Sequence, residues 1–184
     1  MTRVYIGIGS NIERERHIAE ALERLDATFG KLLLSPVYES EAIGFDGAAF
    51  YNLVAGFDTD RSIPQLATLL RAIEAENGNP GHLPKFSARS LDLDLLIYGN
   101  KCGNSDGIEL PRADITDYAY ALWPLADIAA TELHPQLGIS YRDLREQFPT
   151  AQQEAQKLWL APFLWRGNDL SALQQANSPA VALH

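Results

Sequence analysis

The chain has 184 residues, a length that fits a single domain, and 46% of them are hydrophobic, enough for a buried core. No apolar run approaches the roughly 18 residues of a membrane-crossing helix, and the net charge of −9 argues against general nucleic-acid binding, which wants a basic footprint. The single cysteine, Cys102, allows neither an internal disulfide nor a cysteine-based zinc cluster. The opening "MTRVYIGIGS" lacks the zones of a signal peptide, so a reducing cytoplasm is the expected location.

In chain order, "RVYIGIGSN" alternates Val4, Ile6 and Ile8 with Tyr5 and glycines and then stops, which predicts a strand and a turn. "RERHIAEALERLDATFG" places Ile18, Ala21, Leu22, Leu25 and Phe29 at helical spacing, with Gly30 as the stop. "LLLSPVYES" and "FYNLVAGFDT" are the next strands, joined by the loop "EAIGFDGAA". "SIPQLATLLRAIEAENG" predicts a helix with a Ser62/Gln65 capping box and an end at Asn77-Gly78. A polar loop, "NPGHLPKFSA", leads into the strand "SLDLDLLIYG". "NKCGNSDGIELPRADITD" reads as loop, "YAYALWPLADIA" as a helix broken or kinked near Pro124, and "YRDLREQF" as a short helix.

The order strand, helix, strand, strand, helix, strand is the split pattern of an α+β, ferredoxin-like βαββαβ core, an antiparallel sheet with packed helices. Two domain spans follow: 1–150 as this unit, and 151–184 as a C-terminal extension whose aromatics Trp159, Phe163 and Trp165 dock while its end frays. The "GIGSN" turn lacks the spacing of a dinucleotide fingerprint and the lysine of a P-loop.

The chemistry concentrates in "KFSARSLDLDLLIYG". Alternate strand residues share a face, so Asp92 and Asp94 point one way, about 6.6 Å apart along the strand. Leu91, Leu93, Leu95 and Ile97 point the other way, toward a core. Carboxylates that close repel unless cations or protons intervene. Two Mg²⁺ ions bridged by such a pair, with phosphate oxygens and water as their other ligands, would satisfy them. On the motif alone, an exposed pair matched by Arg89 or Lys85 is the leading reading.

"ARSLDLDLLIYGN" resembles the signature of the 6-hydroxymethyl-7,8-dihydropterin pyrophosphokinase family: Arg, two residues, Asp, aliphatic, Asp, two aliphatics. Arg89, Asp92, Leu93, Asp94, Leu95 and Leu96 satisfy it in order. "YIGIGSN", "VYESEAIGFDGAAFYNLV" and "LWPLADIA" resemble further family segments, so the likeness runs from about Val4 to Phe148. It implies an enzyme of folate biosynthesis that transfers diphosphate from ATP to the hydroxymethyl oxygen of a reduced pterin and releases AMP. It also implies that Asp92 and Asp94 hold two Mg²⁺ ions and that Arg89 meets phosphate.

Phe50 and Asn52 share a strand face and would supply an aromatic wall and an amide edge for a flat heterocycle. Tyr120 matches the second aromatic of that sandwich, and Ser40 and Ile43 are further pterin contacts. The alternatives for these are core packing and a strand-end amide. Glu74 borders the apolar stripe of its helix and by resemblance shapes the nucleotide site; a solvated flank is the alternative. Phe86 and Leu95 complete the nucleotide side. His17, His82, His134 and His184 show no ligand spacing and read as structural or surface residues, and Cys102 reads as inert.

Typical members carry arginines in the loop after the second helix, where this chain has "NPGHLPK". Phe86 stands in place of Trp, and Ser87-Ala88 in place of Gly-Pro. Arg112 takes the position of a His, and Tyr118 that of an Arg. Arg112, Lys85 and Arg71 are the candidates to replace the missing cations. Two further functions stay open: a weakly active or non-catalytic pterin- or nucleotide-binding relative, and diphosphate transfer to another hydroxymethyl heterocycle. The expected partners are small molecules, with neither nucleic acid nor membrane, and the expected state is a monomer.

Overall fold

The computed structural model describes residues 1–79 and 81–172. Strand β1 (Thr2–Ser10) leads to helix α1 (Arg14–Phe29), the short β2 (Leu33–Leu34), β3 (Val37–Ser40), β4 (Phe50–Thr59) and helix α2 (Ile63–Glu76). Then come β5 (Asp92–Tyr98), a hairpin of β6 (Gly103–Ser105) and β7 (Ile108–Leu110), and helices α3 (Asp114–Asp117), α4 (Ala119–Ala129), α5 (Tyr141–Glu146) and α6 (Thr150–Gln156). Strand β8 (Leu158–Ala161), a small pair β9 (Leu164–Trp165) and β10 (Asn168–Asp169), and a 3-10 turn at Leu170–Ala172 follow.

The main sheet runs β5-β1-β4-β3-β8, with β2 also on β4, and every neighbouring pair is antiparallel. Its first four strands in that list have the order of the expected βαββαβ core. Strand alternation sends Val4, Ile6, Ile8, Leu53, Ala55 and Phe57 to one face, where Ile18, Leu22 and Leu25 of α1 and Leu66, Leu70 and Ile73 of α2 cover them. The other face carries Tyr5, Tyr38, Val54 and Leu96 under α4 and α5. That second layer is pinned by two hydroxyls, Tyr5 donating to Glu132 and Tyr38 to Asp127, each at 2.5 Å. It covers only part of its face, and the open part is where the acidic pair lies.

Several expectations need correction. The strand read through "LLLSPVYES" is split at Ser35-Pro36, because Pro36 has no N–H to give. Ser35 repairs the gap: its Oγ accepts from Val54 N–H at 2.9 Å. The loop before Pro111 contains the β6–β7 hairpin, turned at Asp106 (φ 53°) and Gly107 (φ 85°), a two-residue turn that needs left-handed backbone at both positions. Helix α4 runs through Pro124; the break falls instead at Tyr118, whose extended backbone separates α3 from α4. Ile97 does not share a face with Leu95. Register slips between Tyr5 and Ile6, so Leu96 is an extra residue in β5, and Ile97 packs in the α4 layer.

The capping box of α2 forms as read: Ser62 Oγ accepts from Gln65 N–H, and the Gln65 side chain accepts from Ser62 N–H. After residue 150, β8 joins the main sheet beside β3, and Phe163 enters the core while Trp165 packs against it. Trp159, expected to dock, is 43% exposed because it sits on an edge strand. The expected fraying of the end and His184 lie outside the described residues. Among the described residues no helix is long and apolar enough to cross a membrane.

Candidate active site

The open part of the sheet forms the floor of a cavity of about 460 Å³. Asp92 and Asp94 stand on this floor, and their cross-strand partners on β1 are Gly9 and Gly7. Side chains opposite one another on a sheet normally fill the space between them. Both glycines line the cavity, and at Gly7 the place of a Cβ is bordered by the Leu96 side chain at 3.6 Å. Gly9 also lies under Asn52: a Cβ there would come within 2.9 Å of Asn52 Oδ1.

Ser10 and Asn11 hold the entry to β5. Ser10 Oγ donates to Ser90 O at 2.5 Å, Asn11 Oδ1 accepts from Arg89 N–H at 2.7 Å, and Asn11 N–H donates back to Arg89 O at 2.9 Å. Asn11 Nδ2 also donates to Ala48 O, so the same turn ties down the loop before β4. The "GSN" turn is thus a brace for the acidic strand, a role its sequence did not disclose.

One wall comes from β3, β4 and their loop. Asn52 Nδ2 donates to Ser40 Oγ at 3.1 Å, and both residues are buried. Phe50 meets Phe45 edge-on at 6.3 Å. The facing wall is Tyr120, whose ring stacks on Tyr118 with centroids 5.0 Å apart. Ser40, Ile43, Phe50, Asn52, Lys85, Phe86, Arg89, Asp92, Asp94, Arg112 and Tyr120 all line this one cavity.

Three residues singled out in the sequence lie elsewhere. Arg71 is exposed on α2, and Leu95 is buried among the α1–α2 core residues. Neither lines the cavity. Glu74 sits behind the strand: its Oε1 accepts from Leu93 N–H at 2.6 Å, which closes a backbone donor on the outer edge of β5. Burial raises its pKa, and the nearby Asp94 charge adds to the rise. Asp114, Phe45 and Leu83 line the cavity without having been singled out. The spacing Arg112-x-Asp114 was the available signal for the first, and the aromatic of the loop "GFDGAA" for the second.

Burial raises the pKa of Asp94 to about 7, with the Asp92 charge adding to it, and burial likewise raises Asp92. Two cations offset this incompletely. Arg112 Nη2 lies 3.2 Å from Asp94 and its Nε 3.5 Å from Asp114; Arg89 Nη1 lies 3.8 Å from Asp92. Arg89 donates its other bonds to the carbonyls of Leu83 and Pro84, holding the loop before it. Phe86 takes a left-handed backbone (φ 57°), places its ring against Gly44, and has Lys85 Nζ 5.1 Å from its centre. Among the described residues no histidine lines the cavity: His17 bonds Asn77, His134 accepts from the N–H groups of Gln136 and Leu137, and His82 is exposed.

The donor set suits Mg²⁺. It offers hard carboxylate oxygens that carry more negative charge than their neighbours neutralise, at the floor of an open cavity. Among the described residues no group of three or more His, Cys, Asp or Glu is placed to hold one ion. A magnesium ion would take its remaining ligands from phosphate and water, as it commonly does.

A family model described as 7,8-dihydro-6-hydroxymethylpterin-pyrophosphokinase matches residues 5–130. The 2-amino-4-hydroxy-6-hydroxymethyldihydropteridine pyrophosphokinase of Pseudomonas aeruginosa is 36% identical over 132 residues, 69% of this chain and 80% of that protein. The protein of the same name from a Synechocystis species is 29% identical over 97% of this chain and 91% of its own length. The folic acid synthesis protein fol1 of Pneumocystis carinii is 36% identical over 74% of this chain, which spans only 19% of that longer protein. Among solved structures, wild-type Plasmodium falciparum HPPK-DHPS superposes with a TM-score of 0.62 at 13% identity, covering 84% of this chain and 46% of that one, a likeness of fold. With its acidic strand, its cavity walls and most of its length inside these matches, the chain belongs to the 7,8-dihydro-6-hydroxymethylpterin-pyrophosphokinase family.

Proposed function

We propose that the cavity catalyses transfer of diphosphate from ATP to the hydroxymethyl group of 6-hydroxymethyl-7,8-dihydropterin, with release of AMP, as a step of folate biosynthesis. The hydroxymethyl oxygen attacks the β-phosphorus, the bond from that phosphorus to the α-phosphate oxygen breaks, and the hydroxyl proton passes to water. Such a transfer needs positioning and charge stabilisation more than covalent chemistry.

The observation that carries the reading is the position of Asp92 and Asp94. They stand opposite Gly7 and Gly9 and line one cavity with the Asn52–Ser40 amide edge and the Phe50 and Tyr120 rings. Phe50 and Tyr120 flank a flat ring, while Asn52 and Ser40 read its polar edge. Asp92 and Asp94 would hold two Mg²⁺ ions, which supply neutralisation of the phosphates and a lowered pKa for the attacking hydroxyl. Arg112, Lys85 and Arg89 are the cations within reach of the phosphates. A monomer is the proposed working unit.

The test mixes protein, ATP, Mg²⁺ and the dihydropterin and follows AMP. AMP that requires the pterin and disappears in Asp92→Ala and Asp94→Ala supports the reading; no AMP sinks it. A second reading rests on the loop before β5, which offers the cavity Leu83, Lys85 and Phe86 but no arginine short of Arg89. Pterin binding by fluorescence without AMP would favour that second reading, a pterin binder with little or no turnover.

A further inference from the structure

We infer that Gln156, beyond the stretch matched by the family model, is a positioning residue that sets the tyrosine wall of the cavity. The inference rests on the pterin reading above.

The first N–H groups of a helix have no partner inside it. At α4 the N-cap residue is Tyr118, and its side chain makes no capping bond. Gln156 supplies the cap from 37 residues further along the chain. Its Oε1 accepts from Ala119 N–H at 2.6 Å, and its Nε2 donates to Asp117 O at 3.0 Å. A side-chain amide has both a donor and an acceptor, so one residue can hold both groups. The two bonds lie on either side of Tyr118 and fix its extended backbone (φ −131°, ψ 127°). In that conformation Tyr118 lays its ring on Tyr120, the planes 14° apart.

The next two residues reach the opposite wall. Lys157 Nζ pairs with the Glu41 carboxylate at 3.1 Å, and Leu158 stands opposite Ser40 in the sheet. Three consecutive residues therefore tie the Tyr118–Tyr120 wall to the Ser40–Glu41 wall. The distance between those walls is what a planar ring must match. Substitution at Gln156 changes reception of the pterin while leaving the acidic floor intact.

The test compares Gln156→Ala and Gln156→Glu with the wild-type full chain. The alanine loses both bonds; the glutamate keeps an acceptor for Ala119 but turns an oxygen toward the Asp117 carbonyl. The first readout needs no ligand: ring resonances of Tyr118 and Tyr120, assigned with Tyr→Phe variants. The second is the pterin dissociation constant by fluorescence, together with KM for each substrate. In Gln156→Ala the ring resonances shift, and the pterin dissociation constant and KM rise about tenfold while KM for ATP stays within about twofold. Gln156→Glu falls between. A lower melting temperature with unchanged ring resonances and unchanged pterin KM would overturn the inference, since Gln156 would then be only a structural cap. If wild-type protein fails to bind pterin, the reading of the cavity fails, and the ring resonances alone decide the inference.

Discussion

Asp94→Asn should make the metal-free protein more stable and the enzyme inactive. Burial and the Asp92 charge displace the Asp94 carboxyl from 3.8 to about 7. At about 1.4 kcal/mol per pH unit, that displacement disfavours the ionised folded state by about 4 kcal/mol at most. The side chain is 28% exposed, and solvent screens part of the effect, so about 1–2 kcal/mol is the working figure. For a chain of this length that corresponds to a melting temperature about 2–8 °C higher. The sign follows from linkage. A carboxyl raised in the folded state binds protons there first, so its cost is fully present above its folded pKa. The cost declines as pH falls and vanishes below the unfolded value. Calorimetric melts in chelator should therefore show Asp94→Asn above wild type at pH 8, with the gap narrowing at pH 5.5. AMP release should be lost in the variant. An equal melting temperature at pH 8, or a gap that does not change with pH, would refute the reasoning.

Arg112→Ala should lower kcat by about 10²-fold, the cost of one charge-stabilising donor, with Arg112→Lys recovering part of it; steady-state AMP kinetics check this. Glu74→Ala leaves the buried Leu93 N–H without its acceptor and should cost about 1–3 kcal/mol in urea unfolding, whereas Glu74→Gln keeps an acceptor and costs less. Gly9→Ala should push Asn52 aside and weaken pterin binding about tenfold by fluorescence titration, while the melting temperature moves little.

Local rules made much of the frame legible. The capping box of α2, the stripe of α1 and the strand alternation of β1 each need only neighbours in sequence, and each formed as read. The acidic pair was legible for the same reason, since two residues two apart on a strand share a face. What escaped depended on distant partners. The flip of Ile97 comes from one extra residue against β1, and no periodicity within β5 reveals it. Glu74 was assigned to the nucleotide side by resemblance alone, and that its oxygen would be taken by an edge-strand N–H depended on a partner 19 residues away. Gln156 lies in a polar helix with nothing to mark it until α4 is seen to start without its own cap. The Asp106-Gly107 turn is a different case: the dipeptide was a hairpin signal in plain view, hidden by the short, polar strands on either side.

Strand β5 lies at the margin of the sheet, where exposed backbone groups ordinarily invite a foreign strand. Here the margin is stitched by pieces of other elements. Asn79 Nδ2 donates to Leu91 O, Glu74 accepts from Leu93 N–H, and Arg112 N–H donates to Leu96 O. An interior strand would have spent those groups on a neighbour and shut out everything else. At the margin, a helix end can approach from one direction and a loop from another, and each brings a charged side chain beside the acids. The seam that keeps the sheet from growing is therefore also the route by which Arg112 reaches the cavity, while Glu74 backs the acidic strand from behind.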